Sequence, residues 1–90
     1  MTIAWDPKKA ESNFRKHKIR FSDAEAVLFD PMALTIEDKS AQGEQRFVSI
    51  GSDTLNRVVV VVYTYRGSDI RIISARRATR KEKKAYEKGI

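Results

Sequence analysis

Cysteine is absent from the 90 residues. That excludes disulfides, thiolate metal sites and cysteine nucleophiles, and it fits a reducing cytosol. Histidine occurs once, at His17, so no multi-histidine metal site can form, and no carboxylates stand at metal-ligand spacing. Long apolar runs are missing too. The longest, VVVVV at 58–62, is far too short to span a membrane. The opening MTIAWDPKK holds no apolar segment of the signal-peptide kind. GxSxG, GxGxxG and P-loop patterns do not occur. The expectation is a cytoplasmic chain with no membrane partner, metal or cofactor.

What is present is a modest core and an uneven charge. Ninety residues suit one small domain, 1–90, with no room for a second core. A hydrophobic share of 41% is near the globular norm, which argues against disorder. The net charge is +6. Residues 1–65 balance nine basic against nine acidic side chains, whereas residues 66–90 set nine against three. All of the excess therefore sits in the last third, which points to a polyanion or an acidic partner.

Patterning gives the order of elements. Residues 2–5 suit a short strand. Asp6-Pro7 is an N-cap followed by a favoured first helical residue. Ala10, Asn13, Phe14 and His17 then share one helical face. Ser22 and Glu25 have capping-box spacing, with Phe21 placed for a staple to Ala26, and the short second helix they predict, about 22–29, ends before Pro31. Residues 33–38, 44–50, 57–66 and 69–77 read as strands separated by turns. The run RVVVVVYTYR at 57–66 is apolar on both faces, as in a central strand covered on both sides. Thr79 and Glu82 form a second capping box, opening a helix to about Lys88. The order β-α-α-β-β-β-β-α predicts an α+β domain, an antiparallel sheet with helices packed across it.

The candidate chemistry lies in arginines at strand ends. Strict alternation along 69–77 puts Arg76 with Ser74, Ile72 and Ile70, and Arg77 with Ala75, Ile73 and Arg71. An arginine beside apolar neighbours needs a partner. For Arg76 that partner is either a carboxylate, such as Glu44 or Glu82, or a phosphate met by the guanidinium fork. The helix N-terminus after Thr79 adds positive potential beside it. Trp5, Phe47, Tyr63 and Tyr65 are available either for base stacking or for the core. His17 suits packing at least as well as proton transfer.

Four blocks carry a family resemblance over nearly the whole chain: WDPKKAESNFRKHKIRFSDAEAVLFDP, GEQRFVSIG at 43–51, RVVVVVYTYR at 57–66 and IRIISARRATRKEKKAYE at 70–87. In combination they resemble the BrnT toxins. The resemblance implies a RelE-like fold and a ribonuclease toxin of a type II toxin–antitoxin module that inhibits translation. It also implies a cognate BrnA-like antitoxin with a ribbon-helix-helix part. That antitoxin neutralises the toxin, and the complex, rather than the toxin alone, engages operator DNA to repress the operon.

The implied reaction is metal-free RNA cleavage by the ribose 2′-OH, which needs a base, an acid and fixed positive charge at the phosphorane. By position in those blocks, Arg76 is the expected phosphate and transition-state clamp. Arg66 and Arg46 follow as substrate-phosphate contacts. Glu44, Tyr63 and His17 are the candidates for proton transfer. Arg71, Arg77, Arg80, Lys81 and Lys84 are expected to grip RNA elsewhere. The alternative is a module that binds nucleic acid or protein through its basic last third without catalysis.

Overall fold

A computed structural model describes residues 2–40 and 42–89. Its elements follow the expected order. A short strand β1 (Ile3–Ala4) leads into helix α1 (Pro7–His17) and helix α2 (Phe21–Ala24), and a 3-10 turn (Glu25–Phe29) extends α2. Strands β2 (Leu34–Asp38), β3 (Arg46–Ser52), β4 (Val58–Arg66) and β5 (Asp69–Arg77) come next, and helix α3 (Arg80–Lys88) closes the chain. No helix among the described residues is long and apolar enough to cross a membrane.

The sheet is mixed, not purely antiparallel. Its order is β1-β5-β4-β3-β2. The four long strands form an antiparallel meander, but β1 pairs parallel with β5, Ile3 beside Ile70 and Ala4 beside Arg71. The rule that joined neighbours pair antiparallel does not reach β1, because its partner lies at the far end of the sequence.

One face of the sheet carries the main core. Ile19, Phe21, Ala24 and Val27 from the helical segment pack on Val59, Val61, Tyr63, Ile70, Ile72 and Ala75. Each fully buried aliphatic or aromatic side chain there contributes about 1.5–3 kcal/mol. The opposite face is covered only at one end, where α3 packs over β3. There Val60 is buried outside the main cluster, so the middle of β4 is covered on both sides.

Two local expectations change. The Ser22 capping box does not form: α2 starts at Phe21, with Arg20 as an N-cap lacking a side-chain hydrogen bond. The Arg20 carbonyl instead accepts from the amides of Asp23 and Ala24. Burial of the Phe21 ring in the core, rather than a staple to Ala26, fixes the helix entry. The second change is a bulge. Val62 pairs with Ser74 but Tyr63 pairs with Ile72, so Ile73 is the extra residue in β5. Alternation breaks there. Ile70, Ile72 and Ala75 turn to the core face, while Arg71, beside Thr64, and Arg76, beside Val60, share the other.

Asn13 secures the strand just past that bulge. Its Nδ2 donates to the carbonyls of Ala75 and Ile19 at 2.8 and 3.2 Å, and its Oδ1 accepts from the Ala75 amide at 3.1 Å. On the free edge of β5, beyond the reach of β1, this side chain replaces a missing strand.

At the other end, Asp30 ties the helical layer to β3 and α3. It accepts from the amides of Met32 and Ser52, both at 2.9 Å, and from the Tyr86 hydroxyl at 2.6 Å. Burial pushes its carboxyl up, but these bonds outweigh that and hold it below its ordinary value. Gly51 lies against this knot. A Cβ there would stand 3.0 Å from Asp30 Oδ2, 3.1 Å from Val27 Cγ1 and 3.3 Å from Ala33 Cβ. None of these atoms is free to retreat. Gly51→Ala is therefore expected to destabilise the chain by about 1–3 kcal/mol, read as an earlier thermal unfolding transition.

Candidate functional site

The less covered face of the sheet gathers basic groups in rows. Arg46 follows the Phe47–Tyr63 pair on β3 and so lies beside Thr64, whose other neighbour is Arg71. Neighbouring strands lie about 4.8 Å apart, which sets Arg46 and Arg71 about 10 Å from each other across Thr64. The Nε of Arg46 is buried without a hydrogen-bond partner. Its cross-strand neighbour Asp38 makes no hydrogen bond to it: Asp38 Oδ1 accepts from the Ser40 hydroxyl at 2.6 Å and amide at 3.1 Å, and its charge is felt by Arg46 only at longer range. Arg71 has no carboxylate partner among the described residues. Two guanidinium groups on one row, without a direct salt bridge among the described residues, make a place where an acceptor-bearing ligand is favoured.

Arg76 stands on the same face, four β4 residues further along, about 13 Å away. Its Nη1 and Nη2 donate to Glu82 Oε1 and Oε2 at 2.8 and 2.9 Å, and Nη1 also reaches the Arg77 carbonyl at 3.3 Å. Glu82 Oε1 accepts in addition from the Thr79 amide at 2.8 Å, and Thr79 accepts from the Glu82 amide, completing the expected capping box. Of the two partners open to Arg76, a carboxylate is therefore present. It does not exhaust the guanidinium. Arg has five N–H donors. Three are used here, and the two that remain are Nε–H and one hydrogen of Nη2. They lie along one edge of the planar fork, spaced for two oxygens of a phosphate. Glu82 thus fixes the plane of Arg76 and leaves an edge open.

The other expected site residues are dispersed. Arg66 pairs with Glu44 at 3.1 Å at the exposed end of β4, and Glu44 lies in the loop before β3, two residues ahead of the strand. Tyr63 is on the core face, only 5% exposed, with its hydroxyl 2.9 Å from Ser49 Oγ, which in turn meets Thr35 Oγ1 at 2.8 Å. That side chain is separated from the arginine rows by the sheet. His17, at the end of α1, lines a shallow cleft of about 210 Å³ with Lys9, Lys16, Ile73 and Ser74. Arg77, beside Val59, projects from the opposite face to Arg76. Arg80, Lys81 and Lys84 are exposed on α3. Among the described residues no three His, Asp or Glu side chains group as metal ligands would.

The fold and these residues can be set beside known proteins. A family model described as "Ribonuclease toxin, BrnT, of type II toxin-antitoxin system" matches residues 5–82. The chain belongs to the BrnT family of ribonuclease toxins. It is similar to the 1.1 Å crystal structure of the Brucella abortus ribonuclease toxin BrnT, with a TM-score of 0.71 and 29% identity over 89% of this chain and 99% of that one. No curated protein matches the chain.

The BrnT match ends at Glu82, the residue that holds Arg76. The Arg76 hydrogen bonds, partly offset by burial, keep the Glu82 carboxyl down at about 2 against an ordinary 4.5, and the bond from Thr79 adds to the effect. A depressed carboxyl contributes stability above its unfolded value and loses it as the pH falls through the folded one. The Arg76–Glu82 fork and the start of α3 are therefore expected to loosen between about pH 4.5 and 2. Carboxyl NMR would follow Glu82 directly, and Glu82→Gln is expected to remove that phase from the acid unfolding curve. From the sequence, Glu82 reads as the far member of the Thr79 capping box and as a carboxylate that would take Arg76 in place of a phosphate. Its further use, as a positioning group, depends on counting donors in three dimensions.

Proposed function

We propose that this BrnT chain is a RelE-like, metal-independent endoribonuclease whose RNA runs along the less covered face of the sheet, from Arg71 and Arg46 toward Arg76. The observation that carries the reading is the bulge at Ile73. It turns Arg71 onto the face that Arg76 occupies, where strict alternation would have separated them. Arg76, its plane fixed by Glu82, is the phosphate and transition-state clamp. Arg46, with its buried and unpartnered Nε, and Arg66 contact neighbouring phosphates. Arg71, Arg80, Lys81 and Lys84 steer the strand, and Arg77 serves RNA only at the margin.

In the proposed step the 2′-OH loses its proton to a base and its oxygen attacks the adjacent phosphorus. The P–O5′ bond breaks, the 5′ oxygen takes a proton from an acid, and a 2′,3′-cyclic phosphate remains. Negative charge grows on the phosphoryl oxygens, which is where fixed guanidinium groups act. Glu44 and His17 remain the candidates for proton transfer. Tyr63 drops out as a candidate, because its buried ring lies on the core face with the sheet between it and the arginines. The type II family supports the rest of the reading: a BrnA-like ribbon-helix-helix antitoxin that neutralises the cytoplasmic toxin, stops its inhibition of translation and represses the operon as a complex on operator DNA.

Induced expression in a bacterium is the test. Growth arrest is expected, with new RNA ends in primer-extension maps, and co-expression of the antitoxin restores growth. A synthetic RNA spanning a mapped end is cut by the purified protein, and a 2′-deoxy substitution at that position blocks cleavage. RNA affinity that falls steeply with salt, with no cleaved product from a folded protein, would move the assignment to a binding module.

A further inference from the structure

At the Arg71 end of the Arg46–Thr64–Arg71 row, where β1 and the start of α1 meet β5, lies a cavity of about 360 Å³, near the low end of the roughly 300–1,000 Å³ range of small-ligand sites. Its lining includes Trp5, Asp6, Arg66, Asp69, Ile70 and Arg71. We infer that this cavity is a nucleobase subsite of the toxin, selective for guanine. The inference rests on the ribonuclease reading above and adds the base that the site selects.

The lining has the three elements that base recognition uses. Trp5 supplies an aromatic wall, held by an edge-to-face contact with Phe21 at 6.0 Å and 79°, and an indole stacks on any base. Arg66 is tied to Glu44, but Arg71 has no carboxylate among the described residues. Asp6 and Asp69 each use Oδ1 for a backbone amide, that of Lys8 at 2.9 Å and that of Thr2 at 3.0 Å, and each retains Oδ2. A phosphate alone fits poorly between two carboxylates. A base with acceptors on one edge and donors on another fits well.

Guanine has that pattern. Its N7 and O6 accept together from an arginine, the commonest specific arginine contact. Its N1–H and N2–H donate side by side, as a carboxylate oxygen requires. Adenine and cytosine set a lone pair beside their amino group, and uracil flanks its single N–H with two carbonyls. A carboxylate repels each of those lone pairs.

Trp5 is the single tryptophan of the chain, so its fluorescence reports this cavity and the neighbouring one it lines with Phe14 and Arg20, and the Asp6 and Asp69 variants assign the signal to this one. Titration of the intact protein with the four nucleoside 3′-monophosphates is expected to show quenching at the lowest concentration for guanosine. Asp6→Asn and Asp69→Asn each keep an oxygen for the amide they cap but present a donor where a carboxylate stood. Each should weaken guanosine monophosphate binding by roughly tenfold, with circular dichroism confirming the fold, and mapped RNA cuts should lose their bias toward guanine. Equal quenching by all four nucleotides, or by ribose phosphate alone, overturns the inference. So does guanosine quenching that both Asn variants leave intact. Guanosine-selective quenching with no RNA cleavage keeps the subsite and removes the ribonuclease reading. Cleavage without base bias or selective quenching does the reverse.

Discussion

Arg76→Ala is expected to slow RNA cleavage at saturating substrate by about 10²–10³, the usual effect of removing one fixed donor from the developing charge of a transition state. The expectation rests on the two N–H groups that Arg76 retains after binding Glu82 and the Arg77 carbonyl. Arg76→Lys should recover little. An ammonium is a point charge on a flexible stem and cannot hold Glu82 and two phosphoryl oxygens in one plane. Glu82→Gln should cost less than either, because the amide oxygen still accepts from the fork and Arg76 keeps its charge. The single Ala variant also leaves a half-buried carboxylate without its cation, which complicates a simple comparison. The double variant Arg76→Ala/Glu82→Gln removes that charge. If its rate stays low while thermal unfolding recovers, the loss belongs to chemistry. A folded Arg76→Ala protein that cuts RNA at the wild-type rate would end the assignment of Arg76 as the clamp.

What the sequence made legible was local. Asp6-Pro7 and Thr79…Glu82 declare helix starts through bonds between residues two or three apart, and both caps form. The valine run declares a covered strand through its own composition. The features that shape the candidate site are not local. The parallel β1–β5 pair joins residues 67 apart, as in Ile3 and Ile70, and nothing in TIAW selects that partner. The bulge at Ile73 has no glycine to mark it. It follows from packing, since Ile72 and Ala75 both belong to the core cluster although they stand an odd three positions apart. Strict alternation cannot satisfy that pair, so one residue is skipped, and the skip carries Arg71 to the face of Arg76. The family blocks identified the chain but said nothing of which way each arginine points. Ser22 shows the same limit from the other side: a capping pattern at the right spacing yields when burial of its neighbour Phe21 sets the start of the helix.

The residue that preserves this arrangement is Asn13, and Asn13→Leu should be strongly destabilising. Three hydrogen bonds vanish with the amide. The Ala75 amide and carbonyl and the Ile19 carbonyl are left without those partners between α1 and β5, where water has little access, Ala75 and Ile19 being fully buried. Each buried group left unsatisfied costs about 1–3 kcal/mol, so a total near 3 kcal/mol is a cautious expectation. Against a typical domain stability of about 5–15 kcal/mol that is a large share. In a chain of this size it should lower the melting temperature by more than about 10 °C. Asn13→Asp is a sharper probe. It keeps the acceptor for the Ala75 amide but turns a carboxylate oxygen toward two carbonyls, so it should cost more than Leu at neutral pH and less in acid. Amide exchange at Ala75 separates bracing from general packing, because the loss should be largest there and fall off along β5. Function should follow the strand. Well below its melting temperature the Leu variant is expected to cleave RNA more slowly, since a β5 free to slip past Ile73 no longer fixes Arg71 and Arg76 on one face. A variant that melts with the wild type and keeps the Ala75 amide protected would show that the bulge is held by the core alone.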